Sequence, residues 1–318
     1  KSFNYKNNDN ETCIREANLL LNEKIITQKS DFNITVKDYL KLPKFLQRNS
    51  LSYKVGVEFP EKNIPIDPYI IGLWLGDGHS NNAAITNQDS VILKYLTSKL
   101  GEYDCYLQYR SGYTYGLTTL KKSTRKGGVN FIISMLRKYS LLNNKHIPDD
   151  YKINSRENRL KLLAGLIDSD GYYHCKCYEI TQKNTLLAND IVYLVKSLGF
   201  ACKIKKVKKS CYYKGEKMEG EYNRITFGGD NTQEIPILCE RKKCKEKRII
   251  NKPALNYQFK VESEGIGNYY GFELDGNHKF MLANFIVTHN TLPAEFAIQF
   301  FKKQNKKVIY TAPIKALC

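Results

Sequence analysis

The chain has 318 residues, of which 42% are hydrophobic, so it is long enough for two domains with ordinary cores. Its 50 basic side chains against 32 acidic ones give a net charge of +18, an excess that favours a polyanionic partner such as nucleic acid. No apolar run reaches the roughly 18 residues of a membrane span, no signal-peptide pattern opens the chain, and its cysteines lack zinc-site spacing, which excludes a membrane-spanning protein and predicts a soluble, intracellular one.

The chain opens with a segment that is polar at first, and we interpret residues 1–65 as a lead-in to the first domain. An apolar run with interleaved small residues follows, Tyr69-Ile-Ile-Gly-Leu-Trp-Leu-Gly-Asp-Gly78. It predicts a helix that ends at a glycine C-cap. A short alternating strand at 84–87, a helix at 90–101 and Tyr- and Thr-rich strands within 103–120 are expected next.

A second copy of this order begins at Leu162-Leu-Ala-Gly-Leu-Ile-Asp-Ser-Asp-Gly171. It is followed by a strand-like segment at 179–182, a helical pattern at 185–199 and further strands within 201–227. The aspartates that precede the closing glycines, Asp77 and Asp170, lie 93 residues apart. The sequence therefore predicts two units of αββ type, at residues 66–158 and 159–256.

Glycine inside an apolar helix costs about 1 kcal/mol relative to alanine, and close approach of two helix backbones is one reason to accept that cost. Packing of the two helices would bring Asp77 and Asp170 together at a helix end that disfavours negative charge, so cations are expected there. Adjacent carboxylates that bind a divalent metal are equipment for phosphodiester hydrolysis. The small residues that permit such packing are Gly72, Gly76, Ala164, Gly165 and Ser169.

These residues resemble a known family. The segment Leu163-Ala-Gly-Leu-Ile-Asp-Ser-Asp-Gly171 departs at one position from the signature of the LAGLIDADG homing endonucleases, and Ile70–Gly78 looks like the diverged first motif of double-motif members. The resemblance implies an α+β fold with a duplicated αββαββα arrangement. It also implies that Asp77 and Asp170 are the catalytic carboxylates and ligands of Mg²⁺.

The resemblance extends to basic residues near the scissile phosphates. Lys145, in Asn144-Lys-His-Ile-Pro148, matches the Lys-x-Ile-Pro element of the family. A second catalytic lysine is expected in Arg241-Lys-Lys243, where Lys242 and Lys243 both remain candidates. By the same resemblance, each unit lays a curved sheet in the major groove of double-stranded DNA. A monomer with pseudo-two-fold symmetry would then read a long asymmetric site in the host gene.

The segment 257–290 alternates apolar and polar residues around Gly271 and Gly276, which is typical of a β-hairpin. It ends in Val-Thr-His289-Asn290, followed by Thr291. An asparagine amide can attack its own carbonyl and break the bond to the next residue, with a neighbouring histidine as acid and a hydroxyl as acyl acceptor.

The whole stretch Tyr269–Asn290 resembles the C-terminal splicing block of inteins, the β-rich end of a Hint domain. The resemblance implies that Asn290 cyclises with help from His278 and His289, and that Thr291 is the downstream nucleophile. Neither a starting nucleophile nor a Thr-x-x-His block precedes it, so the chain is expected to begin inside the intein. Residues 291–318 resemble a superfamily-two helicase of the DExH superkiller type, just after its phosphate-binding loop.

Three other interpretations stay open at this point. The nuclease can have decayed into a DNA-binding or inert insert of a splicing element. The chain can be a LAGLIDADG maturase that binds intron RNA, although such proteins do not need His289-Asn290-Thr291. Finally, it can be a fragment of an ATP-dependent helicase, although the lysine and glycines of the ATP-binding loop are missing.

Overall fold

The chain divides into two units in the computed structural model. The central unit spans residues 55–255, and the flanking unit combines residues 1–54 with residues 256–318. Within these units the structure describes residues 34–120, 130–213, 216–245, 254–263, 265, 274, 276 and 278–289. No helix in this described part of the chain is both long and apolar enough to span a bilayer.

The central unit has two halves with similar element order. The first half contains helices α3 (Pro68–Asp77), α4 (Ser90–Leu100), α5 (Phe131–Lys138) and α6 (Asp149–Lys152), with strands β2 (Ala84–Thr86), β3 (Cys105–Ser111) and β4 (Thr114–Thr119). The second half contains helices α7 (Arg156–Asp170) and α8 (Thr185–Ser197), with strands β5 (Gly171–His174), β6 (Cys177–Gln182), β7 (Ala201–Tyr213) and β8 (Glu216–Gly228). The predicted mixed α+β class is confirmed.

Each half carries one antiparallel sheet. The strand order is β2-β4-β3 in the first half and β5-β6-β8-β7 in the second. Alternate residues of β8, such as Ile225 and Phe227, are buried, and their side chains belong to the same core as the helices. The other residues of these strands form an open face on the opposite side of the sheet.

Helices α3 and α7 form the centre of the fold, and their backbones approach closely. A Cβ added at Gly72 would lie 2.1 Å from the carbonyl oxygen of Leu162, and one at Gly165 would lie 2.2 Å from the carbonyl oxygen of Tyr69. No side chain fits such a gap, so glycine is required on both helices. The predicted packing through small residues is confirmed.

Gly78 and Gly171 are the C-cap residues of α3 and α7, as predicted. Gly78 has φ −73° and Gly171 has φ −82°, both extended rather than left-handed. Glycine is needed there for space instead, because a Cβ at Gly78 would lie 2.2 Å from the carbonyl oxygen of Trp74. At Gly171 it would lie 2.6 Å from the carbonyl oxygen of Ile167.

The segment interpreted as a lead-in is divided between the units after Lys54. Its later part is held in the central unit by Arg159, whose side chain is buried and donates to the carbonyl oxygen of Val57 and to the hydroxyl of Ser197. The amide of Val57 in turn donates to the carbonyl oxygen of Ser197. The chain therefore enters the central unit along a fixed path.

The described flanking unit contains two short helices, α1 (Val36–Lys41) and α2 (Lys44–Asn49), and four short strands. Strand β1 (Ser52–Tyr53) pairs with β9 (Asn256–Tyr257), and β10 (Lys279–Met281) pairs with β11 (Val287–His289), both antiparallel. The second pair is a hairpin within the segment for which one was predicted. Gly271, residues 1–33 and the tail 291–318 lie outside the described residues.

Candidate catalytic centre at the paired helix ends

Asp77 and Asp170 are the last residues of α3 and α7. The close packing of the helices brings these ends together. The carboxyl carbon of Asp170 lies 3.4 Å from where a Cβ at Gly76 would stand, one residue before Asp77. Their charges interact, since Asp170 contributes to the raised pKa of Asp77. The geometry thus places two carboxylates side by side at one end of the helix pair.

Each carboxylate is oriented by a side-chain amide near the end of a strand, Asn87 just after β2 and Gln182 at the end of β6. Asn87 Nδ2 donates to Asp77 Oδ2 at 2.5 Å, and Gln182 Nε2 donates to Asp170 Oδ2 at 2.6 Å. Sequence reasoning did not assign these amides. A signal for them exists, because each closes the strand-like segment that follows an Asp-Gly motif, Ala84–Asn87 in the first copy and Glu179–Gln182 in the second.

One lysine occupies the end of each helix. Lys145 Nζ donates to the carbonyl oxygens of Leu75, Gly76 and Gly78 at 2.7–3.3 Å. Lys242 Nζ donates to those of Ile167, Asp168 and Ser169 at 2.8–3.0 Å. An ammonium at a helix C-terminus neutralises the exposed carbonyls and the negative end of the helix dipole. The two halves use the same arrangement.

The structure separates the two candidates for the second lysine. Lys242 has 9% of its surface exposed and faces the end of α7. Lys243 has 45% of its side chain exposed and pairs with Glu240 at 2.9 Å. Lys242 therefore occupies the position that corresponds to Lys145, and Lys243 points away from it.

The electrostatics of the centre follow from this crowding. Burial raises the pKa of Asp77 to about 6, with a further contribution from the charge of Asp170. Desolvation by the surrounding protein also raises the pKa of Asp170, whereas the charges of Lys145 and Lys242 and the hydrogen bond from Gln182 oppose that shift. Desolvation lowers the pKa of Lys145 and Lys242, whereas the two aspartates oppose that shift at Lys145. The four groups form one coupled cluster.

The loops that carry the lysines are held by buried acids. Asp168 accepts hydrogen bonds from the amides of Leu238 and Cys239 and from the hydroxyl of Tyr69. Asp190 accepts from the amide of Ile147 at 2.9 Å and from Lys152 Nζ at 2.9 Å. These anchors fix the approach of each lysine to its helix end.

The open face of the second sheet is basic. Lys203 lies opposite Thr226 and Lys205 lies opposite Arg224, on the face away from buried Ile225. Lys209, on the same face, donates to the Thr181 hydroxyl at 3.0 Å. This row of cations is one surface on which a polyanion can lie.

The residues predicted for splicing lie in the flanking unit, outside the catalytic centre. His278 is exposed and has φ +55°. The backbone of His289 pairs with Lys279, so His278 and His289 lie at the same end of the β10–β11 hairpin. Asn290 and Thr291 are outside the described residues.

Comparison with known proteins gives a family match and several curated relatives, two of which follow. Residues 146–252 match the homing endonuclease family model. The chain is 31% identical to a replicative DNA helicase DnaB of Mycobacterium intracellulare over 148 residues, 46% of this chain and 21% of that protein. It is 25% identical to the homothallic switching endonuclease of Saccharomyces cerevisiae over 246 residues, 68% of this chain and 42% of that one. The chain thus spans less than half of either relative.

Solved structures of the homing endonuclease I-DmoI are also similar. A structure from work on its mesophilic variants matches with a TM-score of 0.32 and 13% identity, covering 51% of this chain and 82% of that one. Its complex with DNA and Ca matches with a TM-score of 0.31, 13% identity and the same coverage. These scores are too low to establish a shared overall fold.

The family match runs from His146 to Lys252 and therefore covers α7 and the second sheet. It includes both Asp170 and Lys242. The enzyme class predicted from the paired motifs is confirmed by this match. The matched segment, about a third of the chain, is thus similar to homing endonucleases.

Proposed function

We propose that the central unit is a metal-dependent, site-specific endonuclease that cuts both strands of DNA in the intein-free host gene. The observation that supports it best is the pairing of Asp77 with Asp170, with one lysine, Lys145 or Lys242, at each helix end. Two equivalent sets of acid and lysine match two scissile phosphates, one on each strand.

The donor set fits a divalent metal. Two neighbouring carboxylates with pKa values raised by burial are held near one another, and a cation between them would relieve their repulsion. Hard carboxylate oxygens are the ligands that Mg²⁺ prefers. Asp77 and Asp170 would hold it, and it would supply an activated water and a counter-charge for the leaving oxygen.

The other residues of the centre act on the substrate through their charge and geometry. Asn87 and Gln182 fix the orientation of the carboxylates. Lys145 and Lys242 present ammonium groups where negative charge develops on each phosphate. Because their carbonyl partners already hold them, little reorganisation is needed during the reaction.

We propose that the open sheet faces bind the major groove. The lysines of β7 would neutralise phosphates, and polar side chains of both sheets would contact base edges. Because the two halves belong to one chain and differ in sequence, a monomer with pseudo-two-fold symmetry can read an asymmetric site.

The test is cleavage of a plasmid that carries the host gene without the insertion, in Mg²⁺ and in EDTA, by wild type and by Asp77→Asn and Asp170→Asn. We expect a discrete double-strand cut at the junction in Mg²⁺ and a loss of at least about 100-fold in each variant. Salt-sensitive binding of this plasmid without any cut would contradict the proposal and favour a decayed nuclease.

A second proposed function is C-terminal intein chemistry in the flanking unit. It is supported by the hairpin that brings His278 and His289 to one end, directly before Asn290 in the chain. The side-chain nitrogen Nδ2 of Asn290 attacks the backbone carbonyl carbon of the same residue and loses a proton to His278 as a succinimide forms. The bond to Thr291 breaks as the leaving nitrogen takes a proton from His289.

This chemistry releases the 28 residues that follow Asn290, a peptide that mass spectrometry of the incubated chain can detect. We expect no release from Asn290→Ala and slower release from His278→Ala. Equal release from Asn290→Ala would show proteolysis instead.

We further propose that residues 291–318 belong to an ATP-dependent helicase host of the superkiller type. The segment Val308-Ile-Tyr-Thr-Ala-Pro313 supports a helicase host. Reading the gene on both sides of the insertion tests this directly. Helicase motifs on both sides are expected, and their absence would contradict it.

A further inference from the structure

Asp89 occupies an unusual position at the start of α4. It is the N-cap residue, yet its carboxylate makes no capping bond to its own helix in the described structure. Instead, its two oxygens accept from Nη1 and Nη2 of Arg241 at 2.5 and 2.9 Å, a contact between residues 152 positions apart. A carboxylate is a strong N-cap, so its use elsewhere indicates a different role.

The other half of the central unit contains a counterpart. Asn184, the N-cap of α8, accepts from the amides of Leu186 and Leu187, and its Nδ2 donates to the carbonyl oxygen of Lys145 at 2.8 Å. The N-cap of the second half therefore holds the lysine loop of the first. Asp89 in the first half holds Arg241, the residue next to Lys242 in the second.

We propose that Asp89 and Asn184 are positioning residues, each of which fixes the position of the catalytic lysine in the opposite half. Asn184 contacts the backbone of Lys145, whereas Asp89 acts on Lys242 through the neighbouring Arg241. The inference rests on the proposed endonuclease function. Arg241 and Lys242 share the short 3-10 turn Glu240–Lys242, so fixing the guanidinium fixes the turn. A bidentate pair restricts this group more strictly than a single hydrogen bond does.

The small contribution expected from the Asp89–Arg241 pair to the free energy of unfolding indicates a positioning role rather than a stabilising one. The Arg241 side chain is 59% exposed, and ion pairs with an exposed partner contribute little to the free energy of unfolding. A small displacement of a catalytic group, in contrast, can lower a rate by up to about 100-fold. Loss of the pair should therefore leave the fold intact and slow the step that Lys242 assists.

The Asp89–Arg241 and Asn184–Lys145 contacts also differ in chemistry. Lys242 depends on an ion pair, whereas Lys145 is held by a neutral amide. If each lysine serves one DNA strand, breaking the Asp89–Arg241 pair slows one strand selectively. The variant then becomes a nicking enzyme with the other strand cut at nearly its usual rate.

The experiment measures single-turnover cleavage of each strand, with both strands end-labelled, on the intein-free host gene in Mg²⁺. The variants are Asp89→Asn, Arg241→Gln and their combination. Glu157→Gln serves as the matched control because it removes an exposed ion pair, with Lys161, on the surface of α7. DNA affinity in EDTA and the unfolding temperature are recorded for all proteins.

We expect both single variants to slow one strand by on the order of tenfold and the other by less than about twofold. The strand cleavage rates of the double variant should equal those of the single variants, because both changes remove the same ion pair. DNA affinity and unfolding temperature should match those of the Glu157→Gln control.

Equal slowing of both strands would overturn the inference. So would weaker DNA binding in Arg241→Gln alone, with additive effects in the double variant, since Arg241 would then contact phosphate. A wild-type protein that binds this DNA but cuts neither strand overturns the proposed function itself, and this inference falls with it.

Discussion

The two halves of the central unit have the same helix-end chemistry but different sheets. In each half, an aspartate ends the helix, an amide orients it, and a lysine covers the helix carbonyls. Strands β3 and β4 have seven and six residues, whereas β7 and β8 have 13 each. The two helix ends thus share one arrangement of side chains, whereas the two sheets differ in the length of their strands.

Charge differs in the same way as strand length. On the exposed part of β3, Tyr106, Gln108 and Arg110 alternate along one face, so a single cation is present. On β7 the corresponding row includes Lys203, Lys205 and Lys209. Among the described strands, the second sheet therefore carries most of the positive charge that attracts a polyanion.

Replacement of the two lysines is the strongest test of whether the two helix ends are chemically equivalent. We expect Lys145→Met and Lys242→Met each to lower the cleavage rate by about 100-fold, because each removes a charge that stabilises the transition state. Lys243→Met is the matched control and should change the rate by less than about twofold. Single-turnover kinetics on host-gene DNA measure this. An effect of Lys243→Met as large as that of Lys242→Met would contradict the assignment.

The helix interface offers a second test, on stability. Gly72→Ala and Gly165→Ala should each lower the free energy of unfolding by about 1–3 kcal/mol, because each Cβ meets a backbone carbonyl of the opposite helix. Gly101→Ala is the control. It has open space around it and φ −58°, so we expect no loss and a gain of up to about 1 kcal/mol. Denaturant unfolding would measure all three, and an unharmed Gly165→Ala would refute the close packing.

The pH dependence of stability should distinguish the two aspartates. The pKa of Asp77 is raised to about 6, so the folded protein keeps this proton while the unfolded chain releases it near pH 4. Stability is therefore lost as pH rises from about 4 to 6 and stays lower above that range.

It follows that Asp77→Asn should stabilise the metal-free protein at pH 7, by about 1–3 kcal/mol, and not at pH 3.5. Asp170→Asn should have a smaller effect because its side chain is open to solvent. Thermal unfolding in EDTA at both pH values measures this. A less stable Asp77→Asn at pH 7 would show that the carboxylate is not destabilising.

The smallest expected effect concerns the sheet faces. Lys203→Gln and Lys205→Gln should each reduce the slope of log affinity against log salt by about one, because each removes a phosphate contact. Gln108→Ala, in the first half, should leave the slope unchanged. Titrations of host-gene DNA at several salt concentrations in EDTA test the contrast. Equal slopes for all variants would mean that β7 does not contact the backbone.

The sequence predicted the features that depend on local pattern. The Asp-Gly helices, the small residues between them and the order of the following strands were visible because each is a contiguous segment. Lys145 was found through its short motif. The C-cap position of Gly78 was also predicted, but the sequence does not show that close contact with Trp74, rather than a left-handed φ, requires glycine there.

Other features depend on contacts between distant residues. The choice of Lys242 over Lys243 needed the turn at Glu240–Lys242, which directs one side chain to α7 and the other to solvent. The Asp89–Arg241 pair joins the two halves, and neither residue has a local pattern that identifies its partner. Such long-range contacts cannot be read from a single sequence without its fold.

The β1–β9 pair in the flanking unit has a consequence for how this protein can be shortened. Ser52 lies opposite Tyr257 and Tyr53 opposite Asn256, so the chain leaves and returns at neighbouring positions. Antiparallel strands lie about 4.8 Å apart, a distance that a turn of two to five residues can close. The 201 residues 55–255 are thus inserted between the two strands of one antiparallel pair. A short turn in their place would leave the flanking unit as a shorter, continuous chain.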